Sequence, residues 1–129
     1  MATLSLPRPD LGAHRDSLML PLPEIVQALV SVVGKKMTAF VAGVKDTRAI
    51  DRWIDGAQSY NEAEQRLRLA YHVVLILSTH DSPRVVQAWL MGFNPELGDR
   101  VPIRMLREKN LDQVAPLVLG AARTFAAGG

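Results

Sequence analysis

The seventeen residues from Glu62 to Ser78 contain neither glycine nor proline, and their apolar side chains do not fit on one face of a helix. Leu67, Ala70, Tyr71, Val74 and Leu77 fall on one side at helical spacing, and Leu69, Val73 and Ile76 on another. A helix apolar on most sides is stable only when other elements cover it. The segment therefore predicts a central helix, with Asn61 and Glu64 as a capping pair at its start. The covering helices are legible on either side. Leu22, Ile25, Val26, Leu29, Val30 and Val33 recur at helical spacing after Pro23, with Gly34 as the stop. Met37, Phe40, Val41 and Val44 repeat the pattern over a shorter span. Asp46 or Thr47 then caps a helix carrying Ala49, Ile50, Trp53 and Ile54 up to Gly56.

Downstream, Ser82 and Pro83 open a helix with Val85, Val86, Trp89 and Leu90 inward, and Gly92 stops it. FNPELGDRVP is irregular, Pro102 opens a short helix to Arg107, and Leu111, Val114, Val118, Ala122 and Phe125 mark a last helix. Pro116 within it predicts a kink or a fresh start. No stretch alternates apolar and polar residues as a half-buried strand does. The expectation is an all-α protein of seven helices. Residues 1–22, with Pro7, Pro9, Pro21 and Gly12 and no sustained period, read as a flexible arm. Residues 23–60 read as a helix-turn-helix-like region and 61–129 as a second helical domain.

Composition removes most chemistry. With no cysteine among 129 residues, disulfides, a thiolate nucleophile and sulfur-ligated zinc are excluded, and a reducing cytoplasm is the expected home. The longest nearly apolar run, Leu69 to Leu77, contains His72 and is about half the ~20 residues of a membrane span, so no membrane association is expected. The prolines and Asp10 near the start leave no uninterrupted signal-peptide core. His14, His72 and His80 lie in separate segments without a metal-binding partner at helical spacing. No glycine-rich phosphate loop, nucleophile elbow or carboxylate pair is present. No catalytic residue, metal or cofactor is expected, and the chain reads as a binding protein.

The formal net charge is only +2, so any nucleic-acid role must come from local arrangement. GKKMTAFVAGVKDTRAIDRWIDG, residues 34–56, has the pattern of a helix-turn-helix: Ala39 is small where two helices cross, and Gly43 accommodates positive φ at the turn. Lys45, Arg48 and Arg52 then lie on or near the recognition helix, and Lys35 and Lys36 are placed for phosphates. Asp46, Asp51 and Asp55 favour the plainer alternative, a helical hairpin with a solvated charged face.

The C-terminal segment carries a denser pattern. Trp89, Gly92, Asn94, Pro95 and Leu97 form W-x-x-G-x-N-P-x-L, followed by Pro102, Met105 and Leu106 and by a last amphipathic helix ending in small residues. This arrangement resembles the toxin-binding domain of the Xre/MbcA/ParS-type antitoxin family. The resemblance extends more weakly to the helix-turn-helix and so spans about residues 24–129. It implies an all-α type II antitoxin that occludes the active site of a RES-domain toxin acting on NAD, and it extends to repression of its own operon through operator DNA. The toxin-facing residues are then Trp89, Phe93, Asn94, Leu97, Pro102 and Leu106, with Arg123 and Phe125 near the tail. Of these, Phe93 is the strongest interface candidate, because tryptophan is more often core than contact surface. The alternative function is a stand-alone helix-turn-helix transcriptional regulator with a C-terminal dimerisation domain. Self-association into a homo-oligomer is expected in either case, since Val114, Leu117, Val118 and Leu119 put apolar surface on two sides of the last helix.

Overall fold

The computed structural model describes residues 9–108 and 110–128; residues 1–8, Lys109 and Gly129 lie outside the described residues. Among the described residues there are seven α-helices and no strand. They are α1 (Pro9–Met19), α2 (Leu22–Ala42), α3 (Arg48–Ile54), α4 (Asn61–Ser78), α5 (Pro83–Met91), α6 (Pro102–Arg107) and α7 (Leu111–Ala126), with a 3-10 turn at Pro95–Leu97. The all-α expectation holds.

Helix α4 is the hub, packed against α1, α2, α5, α6 and α7. Leu67, Ala70, Tyr71, Val73, Val74, Ile76 and Leu77 are all buried, which is what its all-round apolar pattern demands. The helix opens one residue earlier than the capping signal implies. Asn61 is already helical, Tyr60 holds the cap position, and no side chain caps the end. Glu62 and Glu64 instead occupy the electropositive first turn and pair forward with Arg66 and Arg68 one turn on. The same burial sets an alkaline limit. Desolvation, aided by Asp16 and Glu24, raises the Tyr71 phenol above its ordinary value. A folded-state pKa above the unfolded one contributes stability that is complete below pH ~10 and lost as pH rises through the folded value. Resistance to denaturant should therefore fall above pH ~10, and Tyr71→Phe should flatten that decline.

Gly34 stops the first segment of α2 as read, though by a break within a longer helical run. Its φ of 88° and ψ of 166° lie in a region open to glycine alone. Before the break Leu22, Ile25, Val26, Leu29 and Val33 face inward as predicted. Beyond it the buried face is Thr38, Ala39, Val41 and Ala42, while Met37, Phe40 and Val44 are only half-buried, so the stripe predicted there is largely corrected. The buried Thr38 hydroxyl donates to the Gly34 carbonyl at 2.8 Å, which accounts for a polar group on that face. With 21 residues, α2 is also long and apolar enough, by length and composition, to be a membrane-span candidate, which the run Leu69 to Leu77 was not. The break at Gly34, the adjacent Lys35 and Lys36 and the burial of its apolar stripe against α4 are features of a core helix.

The flexible-arm expectation is corrected over residues 9–19, which form α1 against α4. Among the described side chains of α1, those of Ala13 and Ser17, both small, are the buried ones. The anchor is Arg68 of α4, whose guanidinium donates to the carbonyls of Ser17 (3.1 Å) and Leu20 (2.7 Å) at the electronegative end of α1.

In the C-terminal half, Ser82 Oγ accepts from the Val85 N–H at 3.4 Å and Pro83 sits in the first turn of α5, as read. Val86 and Leu90 are buried, but Val85 is exposed and Trp89 half-buried, so the inward face is narrower than predicted. Helix α7 runs through Pro116 from Leu111 to Ala126 as one element, without the fresh start the proline suggested.

Candidate functional site

Two surfaces gather the residues singled out in the sequence. The first lies where the C-terminal ends of α5 and α7 meet. The Trp89 and Phe125 rings stand 6.3 Å apart at 50°, within the range of favourable tilted aromatic pairs. Gly92 ends α5 where a Cβ would come within 3.2 Å of the Ala88 carbonyl oxygen. The next residue, Phe93, is then left 81% exposed, Met91 is 62% exposed and Phe125 38%. Arg123 is exposed on α7 two residues before Phe125. Beside Phe125 a hollow of about 610 Å³ is lined by His80, Asp81, Ala126 and Ala127.

Four of the predicted toxin-facing residues are not on this surface. Asn94, Leu97, Pro102 and Leu106 are buried, with Leu106 fully enclosed. They are corrected to structural positions for a physical reason: the Asn94 side chain is spent on the turn. Its Oδ1 accepts from the Glu96 N–H at 2.9 Å, and its backbone N–H donates to the Arg100 carbonyl at 3.0 Å. Leu97 returns the chain to the core, and Pro102 starts α6 against it. The W-x-x-G-x-N-P-x-L spacing thus encodes a turn that presents Phe93, the variable position between its Gly and Asn. Met91, His80 and Asp81 join the surface without having been read from the sequence, where nothing in their spacing marks them.

The second surface surrounds the turn between α2 and α3. Gly43 adopts φ 82°, and Ala39, Ile50 and Trp53 are buried, all as expected of a tight turn between crossing helices. A Cβ at Gly43 would stand 2.8 Å from Arg66 Nη1, a second reason for glycine. The candidate DNA-contacting cations divide. Lys35 is bound to Asp51 at 2.7 Å and Arg48 to Asp46 at 3.1 Å. Side-chain and backbone hydrogen bonds from Arg48 hold the Asp46 carboxyl below the ordinary carboxylate range. Lys36, Lys45 and Arg52 make no side-chain hydrogen bond or ion pair among the described residues, and they line two adjoining hollows at the turn. The exposed face of α3 and its C-cap is Arg48, Asp51, Arg52 and Asp55, evenly mixed in sign.

The histidines are closer than their sequence positions suggest, with the His14 and His72 rings 5.4 Å apart between α1 and α4. Among the described residues no group of three or more His, Asp or Glu is arranged to hold a metal. Searches against protein-family models, curated proteins and solved structures find no significant match to this chain.

Proposed function

We propose that the chain is a non-catalytic binding protein, the antitoxin of a type II toxin-antitoxin pair, which occludes the active site of a RES-domain toxin with the surface formed by Trp89, Phe93, Arg123 and Phe125. The observation that carries this reading is the 81% exposure of Phe93, just past the end of the helix that carries Trp89, beside a Trp89–Phe125 pair whose Phe125 is itself partly exposed. Burying a phenylalanine is worth roughly 2 kcal/mol, and Phe93 forgoes nearly all of it at 81% exposure. A partner that covers the cluster recovers that energy, and aromatic and arginine side chains together are the usual makings of an interface centre. The resemblance of residues 85–129 to an antitoxin's toxin-binding segment supplies the partner class.

Phe93 is the residue on which to test it, because it has no role in the core. Phe93→Ala should leave the melting temperature unchanged and weaken the complex with a co-expressed RES-domain toxin by about 30-fold. Titration calorimetry and rescue of cells expressing that protein read the two effects. Unimpaired rescue and affinity would remove Phe93 from the interface. Deleting residues 123–129 separates the cases less cleanly, since it also uncovers Trp89 and takes away the last turn of α7.

A second reading, a helix-turn-helix regulator with a C-terminal dimerisation surface, is favoured by the left-handed Gly43 turn and the buried Ala39, Ile50 and Trp53. The pairing of Arg48 with Asp46 and of Lys35 with Asp51 weighs against it.

A further inference from the structure

The cations near the α2–α3 turn that make no side-chain hydrogen bond or ion pair among the described residues continue into a region that no sequence motif connects to them. Three hollows, of about 390, 480 and 630 Å³, lie side by side and share lining residues. The first and second share Val44, Lys45 and Asp46, and the second and third share Phe40 and Arg107. Together they make one groove that passes Tyr60 and Arg52, crosses the turn at Lys45 and Lys36, and ends at Arg107 and Arg104 of α6. Five cations line it against two carboxylates, Glu108 and an Asp46 already bound to Arg48. That local surplus exceeds the net +2 of the whole chain.

Arg107 is built in. Its guanidinium lies 4.5 Å over the Phe40 ring and donates to the Phe40 carbonyl at 2.9 Å, so α6 holds an arginine and an aromatic face together at one end of the groove. Tyr60, 72% exposed, stands at the other end. Lys36, Lys45, Arg52 and Arg104 have no side-chain hydrogen bond or ion pair among the described residues, and cations gathered without internal partners are arranged for an external anion.

We propose that this groove binds the backbone of a single-stranded nucleic acid, with phosphates along its lysines and arginines and a base stacked on Tyr60. A concave basic track with aromatic platforms is the general form of such sites. A duplex fits less well, because the element that would enter its major groove, α3, presents Asp51, and its C-cap Asp55, alongside its arginines. The proposal uses none of the residues of the aromatic surface and does not depend on the antitoxin reading.

The test is fluorescence anisotropy of the full chain with a labelled oligothymidylate of about twelve nucleotides and with a duplex of the same length. The single strand should bind more tightly than the duplex, with affinity falling steeply between about 50 and 200 mM salt. Lys36→Ala/Lys45→Ala/Arg104→Ala changes exposed side chains only and leaves Arg107 to hold Phe40. It should make the slope of log affinity against log salt shallower by about 2, at roughly 0.7 for each phosphate no longer neutralised, without changing the melting temperature. Tyr60→Ala should cost about tenfold in single-strand affinity and Tyr60→Phe nearly nothing, as stacking requires. The proposal is overturned by absence of binding at low salt, by wild-type binding in the triple variant, by preference for the duplex, or by equal displacement with polyglutamate, which would mark a general polyanion surface.

Discussion

Replacing Leu67 with alanine should destabilise the protein by about 3 kcal/mol and lower its melting temperature by roughly 10 °C. Leu18→Ala, the same chemical change on α1, should cost less than about 0.5 kcal/mol. Leu67 lies fully buried on the helix against which α1, α2, α5, α6 and α7 all pack, whereas Leu18 is 61% exposed. Removing three carbon atoms from the first site loses their transfer energy and leaves a cavity between helices whose positions are fixed by several others, so collapse is incomplete. Against a total stability of ~5–15 kcal/mol for a domain of this kind, that loss is a substantial part of the whole. Chemical denaturation of the two variants side by side checks it, and equal losses would mean that α4 is not the hub.

The central helix was legible because its signal lies in one unbroken segment and needs no partner to be read. Caps and turns were legible for the same reason: Ser82 with Pro83, Asn94 with Pro95, and Pro102 each act on residues two or three positions away. What escaped depends on distance in the chain. Between Gly12 and Met19, helix α1 buries the small side chains of Ala13 and Ser17 while Leu18 and Met19 are exposed, and the helix is tethered by Arg68 about fifty residues downstream. The inward face after Gly34 escaped because Phe40 is covered by the guanidinium of Arg107, far downstream in the chain, while the small Thr38, Ala39 and Ala42 line the core. A hydrophobic stripe locates a face only relative to the segment that carries it.

The candidate surfaces divide in the same way. The motif around Asn94 was legible as a pattern, yet most of its fixed positions are interior, because spacing that recurs is spacing that builds a turn. The residue such a turn displays, Phe93, is the one the spacing leaves free. The basic groove was half visible: Lys36, Lys45 and Arg52 were candidates, but Arg104 and Arg107 stand some sixty residues from Lys45 and carry only the signature of two arginines one turn apart on a short helix.

The second large effect is expected at the break in α2. Gly34→Ala should destabilise the protein by about 2 to 3 kcal/mol, although nothing lies within 4 Å of the position a Cβ would take. The cost is conformational, since φ 88° with ψ 166° is strained for any residue with a side chain. The chain has one local escape, to straighten α2 into a regular helix, for which alanine is the best residue. Straightening carries the stripe of Ile25, Val26, Leu29 and Val33 onward through the turns that follow and swings Thr38, Ala39 and Ala42 away from the core they now line. Helix α3 packs against α2, so its seat is lost with that face. Relief of backbone strain is therefore exchanged for reduced burial, and neither state recovers the wild-type energy. Gly120→Ala gives the opposite sign: Gly120 is inside α7 with open space at its Cβ position, so alanine there should stabilise by about 0.5 to 1 kcal/mol. Thermal melting of the two variants, followed by circular dichroism, should show Gly34→Ala falling and Gly120→Ala rising. A rise in both would mean that α2 is straight in solution and that the buried face of residues 35–42 is the one its sequence periodicity implies.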